Sequence, residues 1–149
     1  MFIESDELSE SNAAWADQVC LSVAEVCKDA VVDLIFVLDG SGSVTSESFY
    51  KNVAWMAELT DQLDLGEFLT RTAVVQYSQD PRTEMNYSFD KAFTRNTMNN
   101  IDYISSGTKT GKALTHVFTQ IYTNSRMGRC RKKNLKKFFL FSMYSFYIF

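Results

Sequence analysis

Eight residues, Val31–Leu38 (VVDLIFVL), form an apolar run interrupted only by Asp33, and the run stops at Asp39-Gly40-Ser41-Gly42-Ser43. A segment this short, rich in β-branched residues and without polar alternation, reads as a strand covered on both faces. That is the signature of a parallel sheet between helical layers. Two glycines and three small polar residues directly after it make a tight loop. Ligands of open α/β sheets bind at the carboxyl ends of the strands, so this loop is the first candidate site.

The pattern that follows alternates helices and strands. Ser46 is placed as a helix N-cap, with Phe49, Val53, Met56 and Leu63 at helical spacing over about 46–63. Arg71–Ser78 reads as a second strand. Thr83–Phe89 alternates Met85, Tyr87 and Phe89 as a half-buried strand, with a turn at Asp80-Pro81 between the two. Thr94 is placed as the cap of a short helix through about Tyr103. Ser105–Thr110 is a second polar loop. From Gly111 a last helix runs to near Asn124, with Leu114, Val117, Phe118, Ile121 and Tyr122 on one broad apolar face. The predicted fold class is α/β: a doubly wound, mainly parallel central sheet flanked by helices.

Asp39, Ser41 and Ser43 offer oxygen at alternate positions, spaced by Gly40 and Gly42, which give the backbone room to bend. Such a loop can wrap a small hard cation, and Mg2+ takes one or two carboxylates with hydroxyls and waters. A phosphate cradle would need a Gly-Lys-Ser/Thr ending, a dinucleotide loop a third glycine where Thr45 stands, and a nucleophile elbow a glycine where Ser43 stands. The same five residues also suit a plain turn into a helix. The only histidine, His116, lies off the apolar face of the last helix and reads as solvent-facing. With three cysteines and no Cys/His cluster, zinc is not expected. The body is mildly acidic, which gives no footing for nucleic acid.

These residues carry a resemblance. Asp33–Ser43 (DLIFVLDGSGS) resembles the opening of a von Willebrand factor type A domain, with its Asp-x-Ser-x-Ser adhesion motif. Gly107–Leu114 (GTKTGKAL) is similar to the Gly-Thr-x-Thr-Gly-x-Ala-Leu loop of the same family, and Arg71–Ser78 resembles its second strand. The wording is closest to domains of matrilins and matrix collagens. The resemblance implies metal ligands at Asp39, Ser41, Ser43 and Thr108, with Gly40, Gly42 and Thr110 supporting the loops. It implies Mg2+ or Mn2+, with Ca2+ also admissible, and a matrix or cell-surface protein whose acidic side chain completes the metal shell. A non-catalytic, extracellular adhesion module follows. The alternative is a truncated structural fragment without metal-dependent binding.

That alternative arises because the family's fourth strand normally ends in a second Asp, and this chain offers none. After Asn124, residues 126–149 carry seven basic residues, no acid and a closing aromatic run, Phe138–Phe149 (FFLFSMYSFYIF). Metal binding is therefore expected to be weak. The tail admits three readings: a translated non-coding end, a membrane-surface anchor, or a core strand in which Leu135–Phe141 stands in for the fourth. Twelve apolar residues are too few to cross a bilayer of ~30 Å, so membrane association is disfavoured. The expected organisation is an acidic leader or linker over 1–30, a partial type A domain over 31–125 and a basic-aromatic tail over 126–149. The leader lacks the basic start and apolar stretch of a secretory signal. Cys20, Cys27 and Cys130 are left without an assigned bridge. Asn86-Tyr87-Ser88 matches a glycosylation sequon, with an unmodified strand residue as the plainer reading.

Overall fold

The computed structural model describes residues 31–123 and 135–142. The leader over 1–30 with Cys20 and Cys27, residues 124–134 with Cys130, and residues 143–149 lie outside the described residues. The elements are β1 (Val31–Asp39), α1 (Ser46–Gln62), β2 (Thr70–Tyr77), β3 (Pro81–Ser88), α2 (Lys91–Asn99), α3 (Thr110–His116, continued as a π-helix over Val117–Tyr122) and β4 (Leu135–Ser142). The sheet order is β3-β2-β1-β4. β2 and β4 both run parallel to β1, while β3 returns antiparallel beside β2.

The uninterrupted apolar run of β1 has the cause its sequence implies. Val32, Leu34, Phe36 and Leu38 pack on one face with Phe49, Val53, Met56 and Leu59 of α1, Val74 of β2, Met85 of β3 and Met98 of α2. Ile35 and Val37 pack on the other with Ala73, Val75 and Tyr77 of β2 and Ala113, Val117 and Ile121 of α3. The result is three layers, with β1 buried from both sides. Asp33, the one charged residue of the run, has 0% of its surface exposed. Arg71, its register partner on β2, donates to both its carboxylate oxygens at 2.9 Å. The guanidinium also lies 4.8 Å from the Tyr87 ring. This bidentate, charge-assisted pair is what makes the burial of Asp33 tolerable.

Local details differ from the sequence-based expectations. The cap of α1 is Thr45, whose Oγ1 accepts from Ser48 N–H at 3.2 Å, and Ser46 is the first helical residue. Asp90, not Thr94, caps α2: its carboxylate accepts from Phe93 N–H at 2.9 Å, and Thr94 is buried inside the helix. An acceptor one residue outside the first turn serves the orphan N–H groups, a geometry that spacing alone does not resolve. Thr45→Ala is expected to lower stability by about 1 kcal/mol, read as a lower midpoint with unchanged slope in urea unfolding.

In α3 the apolar face is narrower than predicted. Ala113, Val117 and Ile121, four residues apart, are buried, whereas Leu114 and Phe118 are 49% and 56% exposed. A strict spacing of four drifts off an α-helical face. The wider π turn, seen in Thr123 N–H donating to Phe118 O at 3.1 Å, keeps it on the sheet. The Phe118 and Tyr122 rings stack outside it, centroids 5.4 Å apart.

Leu135–Ser142, which the sequence-based boundary at 125 left in the tail, is β4 and pairs with β1 from Val31↔Leu135 to Leu38↔Ser142. Of the three readings of the tail, this placement is that of a core strand. No helix among the described residues is long and apolar enough to cross a membrane.

Candidate functional site

β1 and β2 end in register, Asp39 opposite Tyr77. Gly40 N–H donates to Tyr77 O at 2.8 Å, the last rung before the chain leaves the sheet. The first loop is then stitched to the second. Ser105 N–H donates to Gly40 O at 3.0 Å and Gly42 N–H to Ser106 O at 2.6 Å. Lys109 N–H donates to Ser78 O at 2.8 Å, tying the start of α3 to the end of β2. Two loops 65 residues apart in sequence (Ser41 bridging Ser106) thus form one surface at the carboxyl end of the sheet.

Within it, Asp39 is only 3% exposed, Ser41 is buried, Ser43 and Thr108 are exposed and Thr110 is half-buried. The Asp39 carboxylate accepts from Ser41 N–H at 2.9 Å, and the Ser41 and Ser43 hydroxyls are 3.0 Å apart. Three of the four sequence-predicted ligands are therefore gathered in one loop. Thr108 sits on the adjoining loop and makes no side-chain hydrogen bond among the described residues.

The residues fit a hard cation. Asp39 is a buried carboxylate that forms no ion pair with Lys or Arg among the described residues, so its charge lacks a counter-charge. The donors beside it are hydroxyl oxygens, the set that Mg2+ accepts. No group of three or more His, Cys, Asp or Glu occurs among the described residues, so a carboxylate-rich or thiolate site is not built here.

The two loop glycines are explained by close approach, not by the bend expected from sequence, since neither has positive φ. A Cβ on Gly40 would lie 2.1 Å from Gln76 Oε1, and one on Gly42 3.3 Å from Ser106 O.

Sequence reasoning missed the residues that hold the loops. Gln76, buried in β2, donates through Nε2 to Glu84 Oε1 at 2.9 Å and Asp102 O at 2.8 Å, and its Oε1 accepts from Ile104 N–H at 3.1 Å. Tyr103 donates to Ser41 O at 2.9 Å and also contacts Val44 O. A glutamine inside the otherwise apolar Ala73–Tyr77 was the available signal. His116 is not free in solvent: its Nε2 lies 2.7 Å from Thr83 Oγ1.

Tyr77 lies against the site with its hydroxyl buried beside the Asp39 carboxylate and Thr110. Burial first, and then the neighbouring Asp39 carboxylate, push the phenol up to about 12 from 10.0. A group raised in the folded state adds stability below its unfolded value and loses it as pH climbs through the folded one. In metal-free buffer, stability is expected to fall between about pH 10 and 12. Tyr77→Phe should flatten that part of the urea-unfolding profile.

Comparison with known proteins gives a consistent picture. The family model for the von Willebrand factor type A domain matches residues 33–142, which includes β4. Matrilin-3 of Gallus gallus is 34% identical over 113 residues, 74% of this chain and 25% of that protein. The collagen alpha-1(XXI) chain of Homo sapiens is 34% identical over 106 residues, 69% of this chain and 11% of that one. Among solved structures, proximal thread matrix protein 1 from the mussel byssus superposes with a TM-score of 0.65 at 22% identity, covering 76% of this chain and 30% of that one. A second structure of it, described as having a zinc-occupied MIDAS motif, gives 0.62 at 19% identity, covering 75% and 28%. These structural likenesses bear on the fold. The chain spans about a quarter or less of the length of these relatives.

Proposed function

The chain belongs to the von Willebrand factor type A domain family, and from that premise we propose that it is a non-catalytic, extracellular matrix-binding module working through one divalent cation. The observation that carries the reading is the buried, unpaired Asp39 carboxylate at a junction of two hydroxyl-bearing loops. Asp39, Ser41, Ser43 and Thr108 would hold Mg2+ or Mn2+, with Ca2+ as a weaker fit. The cation would supply Lewis acidity toward an incoming carboxylate.

What the chain's own residues do is position oxygen. Asp39 is fixed by the Ser41 N–H, and the second loop is held against Gly40 by Ser105 and Ser106. Exposed Ser43 and Thr108 leave the rim open to a partner. With a single protein carboxylate the cation stays electron-poor, which favours an Asp or Glu supplied by a matrix or cell-surface protein. Among the described residues the two loops offer Asp39 no companion acid. The zinc-occupied MIDAS motif of the mussel protein, whose fold is like this one, supports the reading of a divalent ion.

A specific observation keeps a second reading in view, a structural fragment without metal-dependent binding. β4 ends at Ser142, opposite Leu38 and one residue short of Asp39, and Leu135–Ser142 itself carries no acid. The test is binding of the chain to immobilised matrix proteins, with Mg2+ or Mn2+ against a chelator. Retention that chelation removes is the expected result. Retention indifferent to chelation excludes the metal bridge.

A further inference from the structure

Among the described strands β3 is outermost on its side of the sheet, and an open strand edge is a template for another chain. The ladder inside it shifts register twice, between Val74 and Val75 and again, near its end, between Thr72 and Val74. Thr72 pairs with Ser88 and Val74 with Met85, so Asn86 and Tyr87 together oppose Ala73 alone. That is a β-bulge, which turns a side chain out of the regular alternation. Met85 packs into one core cluster and Tyr87 against the other, leaving Asn86 exposed between them. Its carboxamide makes no hydrogen bond with a described residue, so the fold does not use it. Asn86-Tyr87-Ser88 is also the only Asn-x-Ser/Thr triplet in the 149 residues. Ser88 Oγ accepts from Asp90 N–H at 3.1 Å, at the entry to α2, so the hydroxyl lies at a strand end outside the core.

We propose that Asn86 carries an N-linked glycan that projects from this bulge and blocks strand addition along the β3 edge. The proposal rests on the extracellular reading, since such glycans are added to chains entering the secretory route. In the reaction the Asn86 amide nitrogen bonds to the anomeric carbon of an oligosaccharide carried on a polyprenyl diphosphate. The sugar–oxygen bond breaks, its electron pair leaves with the diphosphate, and the amide gives up one proton. No redox partner is needed. Asn86 lies toward the end of the sheet away from Asp39, because β3 starts at Pro81 opposite Tyr77 and runs back. A glycan there leaves the candidate metal loops open.

The test expresses the full chain behind a cleavable secretion leader in human cells. The unsubstituted chain is expected as a slower band that peptide N-glycosidase collapses onto the band of Asn86→Gln. Ser88→Ala should match Asn86→Gln, and Ser88→Thr should keep the slower band. No enzyme-sensitive shift overturns the site. Size-exclusion chromatography then compares treated and untreated protein. Larger species in the treated sample and in Asn86→Gln are expected, and identical elution overturns the shielding role. Because the leader supplies entry to the secretory route, an unmodified Asn86 counts against the site alone. A modified Asn86, with the natural product absent from extracellular fractions, would instead overturn the extracellular reading and the proposal that depends on it.

Discussion

Asp39→Ala is expected to abolish the response of the chain's thermal stability to Mg2+ and Mn2+. The unsubstituted chain should gain about 2.7 kcal/mol when free metal reaches about 100 times its dissociation constant. For a domain of this size that corresponds to roughly 10 °C in midpoint. Asp39 is the only carboxylate in the two loops, so no other group can supply the charge that fixes a divalent ion. The metal-free comparison sharpens the test. Asp39 is buried without an ion pair, and a buried uncompensated charge costs free energy. In chelator the two proteins should therefore differ little, relief of the buried charge offsetting the acceptor that Ser41 N–H loses, and the parent should be the more stable once metal is added. Equal gains in both proteins would place the metal elsewhere. No gain in either would select the structural-fragment reading.

The substitution separates what local sequence states from what it leaves out. The strand and its terminal loop were legible because burial on two faces demands an unbroken apolar run, and the break at Asp39 marks where the chain leaves the sheet. The second loop was recognisable only through its likeness to the family pattern. Periodicity alone gave Ser105–Thr110 no reason to meet Gly40. That meeting depends on Gln76 and Tyr103, single polar residues in apolar or loop surroundings, whose partners lie 26 to 62 residues away.

Helix ends shifted by one to a few residues, to Thr45 and Asp90, because several small polar residues near each start can accept the same N–H. The face of α3 was over-read because a period of 3.6 was assumed where the helix opens to a π turn at Val117. β4 was the hardest segment. Its three readings, a translated non-coding end, an anchor and a core strand, rest on the same residues, and it is the pairing with β1 that puts Leu135–Ser142 in the sheet.

Gly40→Ala should be as disruptive as any single methyl addition in this chain, and the reason joins the fold to the site. The new Cβ would stand 2.1 Å from Gln76 Oε1, 2.8 Å from its Cδ and 2.9 Å from its Cγ. A free side-chain end would swing away at little cost. This one is pinned: its amide and carbonyl serve Glu84, Asp102 and Ile104. Displacing it adds the cost of hydrogen bonds left unmade, about 1–3 kcal/mol for each buried group, to an overpacking cost of about 1–3 kcal/mol. A loss of about 3 kcal/mol or more in urea unfolding is expected, with the segment around Ile104 released from the first loop and any metal response weakened. The cause is checked by a double-mutant cycle. Gln76→Ala removes both the obstacle and the anchor, so it should itself be destabilising. Adding Gly40→Ala to that background should then cost under about 1 kcal/mol. Non-additivity of this sign is the mark of two residues in direct conflict. Additive losses would show instead that Gly40 matters through its backbone, and that Gln76 does not set the distance between the loops.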